Sequence, residues 1–334
     1  MDVVLIPGDG IGKEISESVK TVSDALKCDI KWIEYKAGAD YYASDNKLME
    51  DGLLEEIARC HIALKGPTAT PIGTGFRSIN VYLRQNFNTY ANVRPVSTFE
   101  GVASRYEDVD LVIIRENTED LYKGIENMLD EDTAHGLKII TRQASERIIR
   151  YAFEYARKNG RKKVTCVHKA NIMKLTDGLF LDCFTKISKE YPDIMNDSVI
   201  IDALCMKLVS DPCQYDVLVA PNLYGDIISD LCAGLVGGLG FAPSANIGDN
   251  VRIYEAVHGS APDIAGKGIA NPSAILLALA MLLKDNGMSD KASVLEKAIR
   301  DCIKDGIKTK DVGGNCSTAE FTAAIRERIE NEAL

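Results

Sequence analysis

Residues 3–14 read VVLIPGDGIGKE, an apolar strand that runs directly into three glycines, Gly8, Gly10 and Gly12. How this stretch is read decides whether the chain opens on a dinucleotide-binding Rossmann unit. That fingerprint, Gly-x-Gly-x-x-Gly, puts its last glycine three residues after the second, so that backbone can close on a pyrophosphate. After Gly8 and Gly10 the required place is held by Lys13, and Gly12 falls one residue early. The strand-to-helix context fits, and Glu34 lies near the end of a second strand, but the phosphate-cradling spacing is missing.

Beyond this loop, short apolar runs alternate with helix-period segments, the pattern of an α/β protein. Strands are expected at 3–7, 30–35, 61–66, 110–116, 163–169, 198–202 and 216–222. Helical periodicity marks EISESVKTVSDALKC, QASERIIRYAFEYARKNG and NPSAILLALAMLLKDNG. The last is almost wholly apolar and should be buried, with Asn271 as its N-cap and Pro272 in its first turn. Between Glu116 and Arg142 the periodicity fades into an acidic stretch that ends in the strand-like LKIITR, which suits a protruding arm.

The 334 residues suffice for one large domain or two medium ones, and their 46% apolar content is that of a soluble globular protein. A net charge of −10 argues against a surface for nucleic acid or anionic membrane. Nine cysteines without Cys-x-x-Cys spacing read as reduced thiols, hence a reducing compartment: the cytoplasm, or a mitochondrial matrix if a leader has been removed.

An acidic protein that binds an anion must concentrate positive charge locally. Arg84, Arg94 and Arg115 each end an apolar run, and guanidinium forks match carboxylate oxygens. Ser78 and Asn80 add short hydrogen-bonding groups just before Arg84. In NLYGDIISDLCAGL, Asp226 and Asp230 stand four residues apart on one helix face. Two hard oxygen donors so placed suit Mg2+ or Mn2+, the alternative being a solvated acidic face; the apolar flanks favour the metal. Tyr122 and Lys169 are candidate acid–base groups, or a buried tyrosine and a surface lysine. EAVHGSAPDIAGKGIANP reads as a long ordered loop. In it Gly259 and Gly266 permit close approach to a ligand, and Asp263 could accept from ribose hydroxyls while repelling a 2′-phosphate; an ordinary surface loop is the other reading.

Together IPGDGIGKE, YANVRP, RENTED, HKANIMK, NLYGDIISDL and HGSAPDIAGKGIANP resemble, in order and over the whole chain, the β-decarboxylating dehydrogenases. That family includes enzymes acting on isocitrate, homoisocitrate, isopropylmalate and tartrate. The RSIN segment resembles the isocitrate branch, and Asp263-Ile264 the NAD-linked branch, where NADP enzymes carry a Lys-Tyr pair. The resemblance implies a two-subdomain α/β/α fold with a mixed sheet, not Rossmann: residues 1–93 with 237–334 as a large cofactor-binding subdomain, and 94–236 as a small one carrying a dimerisation arm. It implies metal-dependent oxidative decarboxylation of isocitrate to 2-oxoglutarate with reduction of NAD. Thr70, Ser78, Asn80, Arg84, Arg94, Arg115 and Asn171 would then bind substrate, Tyr122 and Lys169 would move protons, and Asp202, Asp226 and Asp230 would bind Mg2+ or Mn2+. Ile11, Thr70, Glu255, His258, Gly259, Ser260, Ala261, Asp263, Ile264 and Asn271 would line the NAD site. The family further implies a homodimer in which Lys169 and Asp202 reach into the neighbour's site. Homoisocitrate or isopropylmalate dehydrogenase, or a non-catalytic regulatory subunit, are the alternatives.

Overall fold

A computed structural model describes residues 1–69 and 78–332. The strands are β1 (Asp2–Ile6), β2 (Lys31–Glu34), β3 (Ile62–Lys65), β4 (Ala91–Ser97), β5 (Asp110–Glu116), β6 (Glu126–Met128), β7 (Ala134–Gly136), β8 (Lys163–His168), β9 (Met195–Ile200), β10 (Val217–Ala220), β11 (Pro243–Ile247) and β12 (Arg252–Ala256). The helices are α1 (Gly12–Ala25), α2 (Ala39–Asp45), α3 (Leu53–Cys60), α4 (Ile79–Asn86), α5 (Arg142–Lys158), α6 (Thr176–Ile187), α7 (Ile201–Ser210), α8 (Asn222–Leu235), α9 (Ser273–Asp285), α10 (Ser289–Lys304) and α11 (Thr318–Glu332).

Ten strands form one sheet in the order β2-β1-β3-β12-β11-β4-β5-β10-β8-β9. The neighbours from β2 to β12 are parallel, as are those from β5 to β9, and the two halves meet through antiparallel β12–β11, β11–β4 and β4–β5 pairs. This is the expected mixed sheet, and the order is not that of a Rossmann unit. The boundary drawn at residue 93 falls inside β4, so the backbone ladder is continuous across it.

The three strands of the central junction are those the apolar pattern misses. ANVRPVS, PSANI and RIYEA carry Asn92, Arg94, Ser244, Asn246 and Glu255 at buried positions. A strand interior occupied by polar groups shows no apolar run, so periodicity alone does not find it. Two expected boundaries also move. β9 ends at Ile200 and Ile201 already begins α7, while LKIITR is not a strand; the arm's strands are instead the short exposed hairpin β6–β7.

Helix α9 is the buried helix its composition demands: Ala274, Ile275, Leu276, Leu279, Leu282 and Leu283 are wholly inaccessible. Each buried leucine or isoleucine of this kind contributes about 2 kcal/mol. Asn271 acts one place further out than a simple N-cap: its Oδ1 accepts from Ser273 N at 3.0 Å, and Pro272 is the capping residue.

The opening glycine loop is tied down by backbone and by one carboxylate. Gly8 has φ +76°, and a Cβ there would lie 2.1 Å from Pro67 O; Gly10 has φ +57°, and a Cβ there would lie 2.0 Å from Ser260 O. Asp9, 3% exposed, accepts from Ala39 N at 2.9 Å, Asp40 N at 2.8 Å and Ala69 N at 2.6 Å. It thereby caps the first turn of α2 and anchors the chain that follows β3. The glycines bring three backbone segments together.

Candidate active site

Helix α8 follows β10 directly and carries both aspartates over the end of β5. Gly225 makes this possible, because a Cβ there would sit 2.6 Å from Cγ of Arg115. Arg115 is 1% exposed; its Nε and Nη2 donate to Asn222 Oδ1 at 3.0 and 2.7 Å, and its Nη1 donates to Asp226 Oδ1. The other carboxylate oxygen of Asp226 accepts from the Tyr122 hydroxyl, and the guanidinium lies 5.0 Å from the Tyr122 ring centroid. Arg94 reaches Asp226 and Asp230, each at 3.4 Å.

Charge in this site is unevenly compensated. Burial, reinforced by the neighbouring Arg84 and Arg94, brings Arg115 down to about 9 against the pull of Asp226. Burial also lowers Arg94, against the pull of Asp226. Asp226 is partly buried, which favours its neutral form, yet Arg115 and the Tyr122 hydrogen bond hold it below the usual carboxylate range. Asp230 moves the other way: burial raises it, and the Asp226 charge adds to this while Arg94 opposes it. Burial and the bond to Asp226 raise the Tyr122 phenol. Arg94 and Arg115, whose charged forms burial and the neighbouring Arg84 disfavour, would be relieved by a polyanion. Two carboxylates on one helix turn, one with its ionised form disfavoured, would be relieved by a hard cation.

A buried chain of hydrogen bonds across the central strands holds these arginines. Glu255, 4% exposed, takes Lys65 at 3.0 Å, Arg84 at 3.4 Å and Asn246 Nδ2 at 2.7 Å. Asn92 Nδ2 donates to Asn246 Oδ1 at 2.9 Å, and Arg94 Nε donates to Asn92 Oδ1 at 2.7 Å. Register puts these groups on one face: Lys65 pairs with Glu255, and Asn92 with both Asn246 and Arg115. Burial alone would raise Glu255, but Lys65 and Arg84 bring it to about 2. Sequence reasoning misses Lys65, Asn92 and Asn246; the signal available was Asn92 two residues before Arg94, on the same strand face.

Ser78 is the N-cap of α4, and Asn80 accepts from Thr68 Oγ1 at 3.2 Å in its first turn, ahead of the buried Arg84. Thr70 lies outside the described residues. Lys169, in the turn after β8, pairs with Asp202 at the start of α7, near the sheet edge; Asn171 is exposed in the same turn. Within one chain the structure does not bring Asp202 to Asp226 and Asp230, and no three-ligand cluster of His, Cys, Asp or Glu occurs among the described residues. Asp202 is exposed at the first turn of α7, whose buried Leu204 and Leu208 share an apolar cluster with Ile228 and Cys232 of α8.

The loop at 257–271 meets the glycine loop, where Ile11 N donates to Ser260 O at 3.0 Å and Gly268 N to Glu14 Oε2 at 3.1 Å. Gly259 and Asp263 are exposed, Ala261 has φ +40°, and Ile264 packs on the core. Burial lowers His258, whose Nε2 is enclosed without a hydrogen-bond partner among the described residues. Asn271 Nδ2 donates to Asp311 Oδ2 at 3.1 Å, which brings the C-terminal KTKDVGG turn into the same wall. A hydrogen-bonding ligand lying along this loop would satisfy the orphaned imidazole nitrogen.

Known proteins similar to this chain share its family and its fold. The family model described as isocitrate/isopropylmalate dehydrogenase matches residues 2–325. A mitochondrial NAD isocitrate dehydrogenase regulatory subunit of Dictyostelium discoideum is 52% identical, over 98% of this chain and 91% of that protein. The mitochondrial NAD isocitrate dehydrogenase catalytic subunit 5 of Arabidopsis thaliana is 51% identical, over 97% and 87%. The crystal structure of isocitrate dehydrogenase from Methylococcus capsulatus superposes with a TM-score of 0.95 at 49% identity, covering 98% of this chain and 99% of that one. The relatives' names are mitochondrial and speak of subunits, so they do not support the expected cytoplasmic homodimer. The chain belongs to the isocitrate/isopropylmalate dehydrogenase family.

Proposed function

We propose that this protein catalyses the oxidative decarboxylation of isocitrate to 2-oxoglutarate and CO2 with reduction of NAD. The observation that carries the reading is the convergence of the buried Arg94 and Arg115 on the carboxylates of one turn of α8, with the buried Arg84 close enough to disfavour their charge. A tricarboxylate answers the guanidiniums and a divalent cation answers the carboxylates.

In this reading Arg84, Arg94 and Arg115 hold the substrate carboxylates, with Ser78 and Asn80 at the N-terminus of α4. The 257–271 loop would hold NAD, which would supply the hydride acceptor, and Asp226 and Asp230, with Asp202 from a second copy, would hold Mg2+ or Mn2+, which would supply Lewis acidity to the substrate oxygens. Lys169, from that second copy, accepts the hydroxyl proton. Tyr122 delivers a proton to C3 once the β-carboxylate has left; its raised pKa keeps the phenol protonated until then. Residues 1–93 with 237–334 and residues 94–236 then serve as cofactor and substrate subdomains hinged at the central strands.

The Lys169–Asp202 pair stands apart from the Asp226 site, which favours an assembly with shared sites. The relatives' names favour a mitochondrial matrix enzyme and leave a hetero-oligomer open beside the homodimer. A regulatory role is the second reading, because a regulatory subunit is among the similar proteins. The purified chain given Mn2+, NAD and isocitrate should form NADH. No NADH from the chain alone, with NADH formed once a catalytic partner is added, would favour the regulatory reading. Faster turnover of homoisocitrate or isopropylmalate would replace the substrate.

A further inference from the structure

We propose that Lys138 is a positioning residue that ties the Tyr122 turn and helix α8 of one active site to the Lys169 turn that serves the neighbouring site. The proposal rests on the proton-transfer roles assigned above to Tyr122 and Lys169.

Lys138 lies in the segment returning from the β6–β7 hairpin to α5, and its side chain is 8% exposed. Its ammonium meets three elements at once. It is 2.6 Å from Asp177 Oδ1 and 3.8 Å from Asp120 Oδ1, and it lies 4.2 Å from the Tyr224 ring centroid. Each partner is fastened to a different part of the site. Asp177 Oδ2 accepts from Lys169 N at 2.6 Å, fixing the turn that carries Lys169. Asp120, two residues before Tyr122, accepts from Leu223 N at 3.0 Å, fixing that turn to α8. Tyr224 stands on α8 two residues before Asp226.

Both carboxylates are wholly buried, and Lys138 is the cation they share. Unpaired buried carboxylates are costly, so the two turns are drawn to wherever this ammonium sits. Asp120 also keeps a left-handed backbone at φ +71°, a conformation unfavourable outside glycine that persists only where the surroundings impose it. Its N–H donates to Ile139 O at 2.9 Å, so the residue beside Lys138 holds the backbone of the strained one.

A charge-neutralising role alone would affect stability. A positioning role must also affect the step that Tyr122 performs. In the holoenzyme with Mn2+, NAD and isocitrate, Lys138→Met should lower kcat by about 10-fold to 100-fold, since sub-ångström misplacement has that effect on proton transfer. KM for isocitrate should change little, because the arginine cluster is held separately through Glu255 and Asn92. Lys138→Arg should recover most of kcat. In a Tyr122→Phe background the same substitution should cost less than about threefold, the positioned group being gone. Amide exchange in the metal-free protein gives a second readout: residues 119–124 and 169–177 should lose protection in Lys138→Met while α9 keeps its own. If that variant does not fold, adding Asp177→Asn removes the nearest counter-charge yet leaves an acceptor for Lys169 N. Additive losses with Tyr122→Phe, or unchanged kcat and exchange, overturn the proposal. Absence of turnover in the unmodified holoenzyme, with the exchange difference intact, would instead count against the functional reading.

Discussion

Tyr122 and Arg115 hold opposite oxygens of the same carboxylate, that of Asp226. Asp226 thus sits between a proton donor and a fixed cation, and stays ionised despite its partial burial because both favour the charged form. The phenol, in exchange, is held protonated beside a negative charge.

Tyr122→Phe should therefore lower overall turnover by about 100-fold or more while sparing hydride transfer. Comparing NADH formation in a single turnover with 2-oxoglutarate release checks this, and wild-type release would refute the donor role.

Chelation of divalent metal should abolish turnover, and Mn2+ should raise the thermal midpoint of the protein, the shift growing with the logarithm of its concentration above Kd. Asp230→Asn should weaken that thermal shift. An undiminished shift would remove Asp230 from the metal site.

Asp263 is exposed on the cofactor loop, next to the core-packed Ile264. Asp263→Lys combined with Ile264→Tyr should move preference towards NADP by placing a cation where a 2′-phosphate would lie. The ratio of kcat/KM values for the two cofactors decides it, and an unmoved ratio would count against the ribose role.

Glu255 has a folded pKa of about 2, held down by Lys65 and Arg84. A depressed carboxylate stabilises the fold above its unfolded pKa and loses that contribution as pH falls through the folded value. Glu255→Gln should cost about 3 kcal/mol at neutral pH, with the gap closing between about pH 4 and pH 2. Urea titrations at several pH values test the sign; a difference that widens on acidification would reverse the assignment.

Asp9→Ala should leave three backbone donors, on Ala39, Asp40 and Ala69, without their acceptor. A loss of about 3 kcal/mol in unfolding free energy is expected, and Asp9→Asn should recover part of it. Equal stability of Asp9→Ala and wild type would show that water replaces the carboxylate.

The alternation of apolar strands and amphipathic helices was legible from composition, because burial on both faces of a parallel strand and on one stripe of a helix leaves a periodic trace. So were the buried helix α9, the acidic arm, and the residue types of the site: arginines at the ends of apolar runs and two aspartates four apart. The failed glycine spacing at Gly8, Gly10 and Lys13 excluded a phosphate-cradling loop without any knowledge of the fold. Tertiary structure decided the rest. Strands β4, β11 and β12 hide from the apolar pattern because their inward residues are the hydrogen-bonded polar groups of the site. Only the fold reveals that Glu255 is clamped by Lys65 and Arg84, that Asp9 serves three backbone donors on two segments, and that Lys138 joins Asp120 to Asp177. Those partners are distant along the chain, and a pairing of buried charges is a property of where strands end in space. The sequence carried the chemistry of single residues and the periodicity of single elements, while the fold set which charges share one low-dielectric volume.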